Sequence, residues 1–423
     1  MNRLLRSLAS QYTSLSRPAR LFLLALFFDG LLFSAWQLFF NLYIVSAGYS
    51  RDFLGLVNAA PSIAALLLGV PMGLLSDRLG RKRAMIIGFS LANAAIIGMA
   101  LVRSEVLLFL FAAALGVTAQ LYILSQAPFM MKVSDDRSRD VLFSWSYGMY
   151  PLASTLGNFI AGYMPDAFTT WFHLAGRAEA YRSVLLFSVL SSFIVLIPIS
   201  LIREPASTAA AGELQKPAPR VSPWKVLLRP LTIKLSLPNL LIGLGAAILV
   251  PYFNVFFAER HQMSDSALGL LFSLGSLVMG VACILGPRLV SNLGGKIRMV
   301  VLGEAASLVF QLAIGFSPWL WLAAVGFLVR GALMNMVAPL YDAFGLELTH
   351  ESEHGAVNSV RYMAWNLGWA VGPYLSGVVQ ARYGFSPLFL CTGILYALGI
   401  ALTWIFFRPE RMTKKMDQGT IEA

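Results

Sequence analysis

Five ionisable side chains stand inside long apolar runs of this 423-residue chain: Asp29, Glu304, Arg330, Asp342 and Arg361. A charge near the centre of a bilayer costs about 2.5–3.5 kcal/mol even on insertion scales, so each is a candidate functional group. A carboxylate in an apolar setting can bind and release a proton, and Asp29 is the candidate for that chemistry. Arginine keeps its charge and offers a planar fork matched to carboxylate or phosphate. Arg330 is therefore a candidate holder of an anionic substrate group, or of Asp29 when no substrate is bound. The alternative is a structural pair with a carboxylate on a neighbouring helix. Asp342 and Arg361 are expected to pair with each other, as a structural or gating bridge. Glu304 is expected to be peripheral, bonded to a serine or a backbone group.

The elements that must position these residues are membrane helices. The chain is 57% hydrophobic and 13% charged, where a soluble domain carries about 25% charged residues. A spanning helix needs about 20 mostly apolar residues. By that rule twelve spans are read, at 21–46, 53–75, 84–103, 105–131, 139–165, 181–202, 231–258, 266–290, 297–316, 318–346, 355–381 and 385–407. The first run, from Leu21, is too long for the core of a signal peptide, and cleavage is not expected. Cys283 and Cys391 both fall inside spans, so no disulfide framework is indicated.

The net charge of +11 follows topology. With the N-terminus inside, alternate loops place most Lys and Arg on the cytoplasmic side. Only Arg51, Arg103, Arg177, Arg182, Arg260 and Arg382 fall outside. This asymmetry puts both termini in the cytoplasm and leaves no basic patch for a nucleic-acid partner. The expected location is the cell membrane, the cytoplasmic or inner membrane of a prokaryote, with membrane lipids as neighbours.

The two halves repeat. Phe40-Asn41-Leu42-Tyr43 parallels Phe253-Asn254-Val255-Phe256. Leu54-Gly55 parallels Leu268-Gly269, Gly80-Arg81-Lys82 parallels Gly294-Gly295-Lys296, and Gly116 to Gln120 parallels Gly331 to Asn335. Gly157 and Gly162 parallel Gly372 and Gly377. The offset stays near 213 to 215 residues. Residues 203–230, with Pro217, Pro219 and Pro223, read as a cytoplasmic linker. The domains are then an N-terminal six-helix bundle with a short cytoplasmic segment (1–202), the linker (203–230), and a C-terminal six-helix bundle with a short cytoplasmic tail (231–423).

Between the second and third spans the chain reads Gly73-Leu-Leu-Ser-Asp77-Arg78-Leu-Gly80-Arg81-Lys82-Arg83. This string resembles the loop between helices 2 and 3 of the major facilitator superfamily, with Gly73, Asp77, Arg78, Gly80, Arg81 and Lys82 in the family's places. The resemblance covers nearly the whole chain, because two parallel six-helix repeats joined by a linker are also that family's architecture. It implies an all-α membrane fold of twelve helices that works by alternating access. It implies that the loop motif latches the cytoplasmic side. Gly73 would let helices approach, and Gly80 would allow the sharp turn. Asp77 would face the start of helix 11 near His354, and Arg81 would meet Asp135 or Asp136. The second-half copy is degraded, with Pro287 for Gly73 and Ser291 for Asp77.

The resemblance also implies that helices 1, 4, 7 and 10 line a central cavity. Asp29, Asn41 and Trp36 on helix 1, Gln120 on helix 4, Asn254 and Tyr252 on helix 7, and Arg330 and Asn335 on helix 10 are then cavity candidates. For the amides, helix-to-helix hydrogen bonding is the equal alternative. For Trp36, Tyr252, Tyr43 and Tyr122 it is plain packing.

The family's drug:proton antiporters carry an arginine in helix 4 and a Gly-Pro pair in helix 5. Here helix 4 has no charge from Phe109 to Met131, and helix 5 has Gly157-Asn158. The Gly-Pro form stands in helix 11, at Gly372-Pro373. His350 and His354 have i, i+4 spacing with Glu351 and Glu353 nearby, but a solvated turn is expected there and no metal. No nucleotide-binding loop or nucleophile motif is present, so neither an ATP-driven pump nor a membrane enzyme is indicated. The expected function is secondary active transport of a small molecule by a monomer, driven by a proton gradient with no cofactor, in the sense of efflux. The alternatives are an organic-anion carrier with Arg330 as anion site, and a lipid flippase or non-transporting sensor on the same fold.

Overall fold

The computed structural model describes residues 12–135, 138–203, 223–289, 295–350 and 353–408. Long helices fill them: α1 (Arg17–Ser46), α2 (Arg51–Leu79), α3 (Arg81–Leu101), α4 (Glu105–Val133), α5 (Arg139–Phe172) and α6 (Arg177–Leu201). They are followed by α7 (Pro230–Arg260), α8 (Asp265–Leu289), α9 (Lys296–Phe316), α10 (Leu320–Glu347), α11 (His354–Tyr383) and α12 (Ser386–Phe407). Helices α6 and α7 each contain one short 3-10 turn, at Phe193–Val195 and Val250–Tyr252. Ten of these helices are long and apolar enough to cross a membrane; α5 and α11 are not among the ten. Helix α11 carries Asn358, Arg361, Asn366 and Gln380 along its length, which dilutes its apolar character.

Local chemistry sets the helix ends. The Ser16 side chain accepts from the Ala19 N–H and caps α1, with Pro18 in the first turn, where its missing N–H costs nothing. Ser50 caps α2 in the same way through Phe53. The break between α2 and α3 falls at Gly80, with φ +82°, and the break before α9 falls at Gly295, with φ +109°. Glycine is the residue that enters this region without a Cβ clash. The structural mate of Gly80 is thus Gly295, one residue beyond the Gly294 of the sequence alignment. Helix α5 ends at Phe172 rather than at 165, because the chain stays helical through Pro165 and stops at His173 in the left-handed region.

The chain divides into two compact units. The first comprises residues 1–207 and 254–277. In it α1 packs on α5 and α6, while α4 packs on α2 and α3. Its inner core joins Phe22, Leu23, Met85, Phe89, Phe129 and Leu142. Gly30 and Gly157 let α1 and α5 touch: a Cβ on Gly30 would lie 2.5 Å from the Tyr150 carbonyl oxygen, and one on Gly157 would overlap the Leu31 carbonyl. Helix association in lipid depends on such close approach of small residues. The end of α7 and the first half of α8 belong to this unit through polar ties. Arg51 grips both carboxylate oxygens of Glu259 at 2.5 and 2.6 Å. Buried Asp265 accepts from Tyr181 at 2.8 Å and Arg177 at 3.0 Å. Asn158 donates to Ser276 at 3.2 Å.

The second unit comprises residues 208–253 and 278–423. Here α7 packs on α11 and α12, and α9 packs on α10 and α12. The pairs α1–α5 and α7–α11 correspond, as do α1–α6 with α7–α12 and α3–α4 with α9–α10. The glycines repeat the pattern: Cβ atoms on Gly368 and Gly372 would meet the Leu244 backbone nitrogen and the Ala247 side chain, each at 2.6 Å. The Gly-rich segments of α5 and α11 are therefore close-packing faces.

Candidate transport site

Asp29 is held on α1 next to Gly30, and that placement builds its surroundings. Because Gly30 has no side chain, α5 comes in close enough to set Tyr150 beside the carboxylate. The Tyr122 hydroxyl, from α4, is buried with no hydrogen-bond partner among the described residues, and it and Tyr150 lie within electrostatic reach of Asp29. Gln37, two turns along α1, donates to the Tyr150 hydroxyl at 3.4 Å. Asp29 and Tyr150 are half-buried, Gln37 is exposed and Tyr122 is buried. No ion pair to Asp29 exists among the described residues. This is a half-buried carboxylate with two phenols near it. It can hold a proton or a cationic group, and its phenols can donate to the ionised form. Sequence reasoning named Asp29, and Tyr122 as an aromatic cavity wall or plain packing. It missed Tyr150 and Gln37. The available signal was the pairing of Gly30 with the glycine-bearing face of α5.

Arg330 lies elsewhere in its own unit and is 7% exposed. Its Nη2 donates to the Tyr396 hydroxyl of α12 at 2.5 Å, and its Nε to Gln311 of α9 at 3.4 Å. Its guanidinium carbon sits 5.8 Å from the ring centroids of both Phe253 and Tyr396. The guanidinium is packed among α7, α9 and α12, with neutral acceptors. No carboxylate pairs with it among the described residues, against the expectation of an ion pair with Asp29 or with a neighbouring helix. Glu304, on the same helix as Gln311, is buried, and its Oε2 has no hydrogen-bond partner among the described residues; it is interior, not peripheral.

The remaining cavity candidates are mostly helix-to-helix bonds or core. Asn41 accepts from Asn58 at 3.0 Å, and Asn254 donates to the Leu38 carbonyl at 2.7 Å. Asn335 donates to Gly331 one turn back in its own helix at 2.9 Å. Trp36 stacks on Phe40 with centroids 4.5 Å apart. Tyr252 is wholly buried and braces α11 through the Pro373 carbonyl at 2.9 Å. Gln120 is buried in α4. A lipid-embedded helix is apolar on every side, so the sequence does not mark which face turns inward. The bonds of Asn41 and Asn254 and the packing of Trp36 and Tyr252 are the alternative the sequence left open for each.

The loop motif is braced within its own unit. Asp77 pairs with Arg81 one turn on. Arg81 also donates to Ser76 at 2.9 Å, and Ser76 is 2.7 Å from Ser125 of α4. Arg81 therefore meets Asp77 rather than Asp135; Asp136 lies outside the described residues. Asp135 caps the turn into α5 by accepting from the Ser138 N–H at 2.8 Å. Lys82 donates to the carbonyls of Ser200 and Ile202 at 2.6 and 2.7 Å, closing the C-terminus of α6 as a cation should. Arg78 is exposed. A Cβ on Gly73 would meet only Leu124, at 3.7 Å, so close helix approach is not what Gly73 provides here. Ser291 lies outside the described residues. Asp342 and Arg361 form an ion pair at 2.6 Å, with Arg361 3% and Asp342 65% exposed, and Arg361 covers the Tyr341 ring at 5.1 Å. His354 bonds the Thr349 carbonyl at 3.0 Å and Glu353 pairs with Arg229 at 2.5 Å. Glu351 lies outside the described residues.

These features define a multi-pass membrane carrier: paired helical repeats, a braced loop motif, and a lone acid on the first helix. The model of the Major Facilitator Superfamily matches residues 22–303 and again 235–422. The chain is 25% identical over 373 residues to the multi-drug resistance efflux pump PmrA of Streptococcus pneumoniae, covering 86% of this chain and 88% of that one. It is 23% identical over 385 residues to the chromaffin granule amine transporter of Homo sapiens, covering 86% and 66%. Among solved structures, the nucleoside transporter NupG aligns with a TM-score of 0.76 at 14% identity, over 92% of this chain and all of that one. A D-xylose-proton symporter aligns with a TM-score of 0.68 at 15% identity, over 92% and 96%. The chain belongs to the Major Facilitator Superfamily.

Proposed function

We propose that this protein is a proton-coupled secondary transporter that exports amphipathic small molecules by alternating access, with Asp29 as the coupling group. In this reading α5 and α11 also cross the membrane, giving twelve spans with both termini in the cytoplasm of the cell membrane. One observation carries it. Asp29 lies half-buried in an apolar helix near Tyr122 and Tyr150 and makes no ion pair among the described residues. A carboxylate so placed binds one positive charge at a time, a proton or a cationic group of the substrate. Loading one releases the other, which is antiport. The names of two relatives, a drug efflux pump and an amine transporter, agree with a substrate that carries a basic nitrogen. The organic-anion reading loses support because the fork of Arg330 is engaged by Tyr396 and Gln311. The test is uptake of a lipophilic cation into everted vesicles under an imposed pH gradient. Accumulation should follow the gradient in the native protein and lose that dependence in Asp29→Asn. Equal gradient dependence in both would refute the assignment.

A further inference from the structure

Each of the two units carries an apolar groove, and only one of the two has a charged residue in its lining. Between α1 and α6 a groove of about 190 Å³ is lined by residues such as Leu21, Phe28, Ile197 and Leu201, with no charged residue. Between α9 and α12 a groove of about 570 Å³ is lined by aliphatic residues including Val301, Ala305 and Ala401, with Trp404 and Arg298 in its wall.

Arg298 is exposed and makes no ion pair among the described residues, whereas its neighbour Lys296 is paired with Glu347. Helix α9 has 21 residues and at 1.5 Å per residue is about 30 Å long, the thickness of the hydrocarbon core. Arg298, the third residue of α9, therefore sits at headgroup depth. Trp404, near the end of α12, shares that level, where tryptophan is favoured. The aliphatic wall then runs inward from the cation along the depth of an acyl chain.

We infer that the α9–α12 groove is a binding site for one anionic phospholipid, its headgroup on Arg298 and an acyl chain along Val301, Ala305 and Ala401. The occupant follows from charge and position: an apolar trough inside the bilayer, ending at the lipid phosphate level in a cation that makes no ion pair among the described residues. The floor of the groove joins the site to the interior. Val301, Ala305 and Leu308 pack against the cluster that contains Ile400 and Tyr396, and the Tyr396 hydroxyl holds Arg330.

The experiment is native mass spectrometry of the purified full chain titrated with phosphatidylglycerol and, separately, phosphatidylcholine. The native protein should prefer phosphatidylglycerol at its tightest site by about fivefold, the factor for about 1 kcal/mol from one basic residue near an anionic surface. Arg298→Gln should erase the preference and leave phosphatidylcholine binding unchanged. Ala401→Phe, which fills the groove from its exposed wall, should weaken both lipids. Equal binding of the two lipids by the native protein overturns the inference. So does a preference that survives Arg298→Gln, or lipid binding untouched by Ala401→Phe.

Discussion

Tyr396→Phe is the perturbation that separates a packed arginine from a substrate-binding one. In the structure Arg330 is 7% exposed, and its Nη2 lies 2.5 Å from the Tyr396 hydroxyl. Removing that oxygen deletes one charge-assisted bond and leaves the ring in place under the guanidinium. Neutral interhelical bonds in membranes average about 0.6 kcal/mol and reach about 1.7. Bonds to a charged group in proteins are worth about 1.5–3 kcal/mol. A short, buried, charge-assisted bond between α10 and α12 belongs where those ranges meet, so the expected loss is about 1.5–2 kcal/mol. The assay is a double-mutant cycle of Tyr396→Phe with Arg330→Met, read by steric-trap unfolding in micelles, with ligand affinity measured alongside. The expected coupling is about 1.5 kcal/mol, with affinity in Tyr396→Phe within about twofold of native, a factor of two being about 0.4 kcal/mol. A coupling near zero, or a large loss of affinity at unchanged stability, would refute the view of Arg330 as an internal brace.

Other consequences can be checked singly. Gly157→Val drives a side chain into the Leu31 carbonyl at the α1–α5 crossing, and the expected result is loss of folded protein on size-exclusion chromatography; its mate Gly372→Val should behave alike. Asp77→Ala removes a pair whose members are 48% and 26% exposed, so unfolding should shift by no more than about 1 kcal/mol, while transport falls at equal expression. Unchanged transport would end the gating role. His261, just past the α7 span, has its pKa lowered by burial and by Arg260. The unfolded chain then binds the proton more readily than the folded one. Stability from this site is fully present above the ordinary histidine range and falls as pH drops through it. His261→Gln should flatten thermal stability across that window, and an unchanged pH profile would contradict the assignment.

How far the sequence could be read varied with the physics of each residue. The turn at Gly80 was legible because a positive φ between two helices calls for glycine, and the structure puts φ +82° there. Asp29 was legible because an unmatched charge in an apolar run needs a reason. Its partners were not, since Tyr150 reaches it only through a helix crossing that Gly30 permits. Arg330 was legible as a charge that needs partners, but the partners it has, Tyr396 and Gln311, were not. Polarity marks the buried face of a helix in water, but α10 is apolar on all sides, and packing alone decides that Arg330 turns toward Tyr396. The length of α5 was misread because proline ordinarily ends a helix, whereas Pro165 is carried within it.

The central claim is that Asp29 carries the proton. Its most direct test is proton release from purified protein in weakly buffered detergent solution on addition of a lipophilic cation such as tetraphenylphosphonium, read with a pH indicator. The account requires release from the native protein at a pH where the site is loaded, none from Asp29→Asn, and cation binding by the native protein that weakens as protons are added. Proton release of equal size from Asp29→Asn would contradict it.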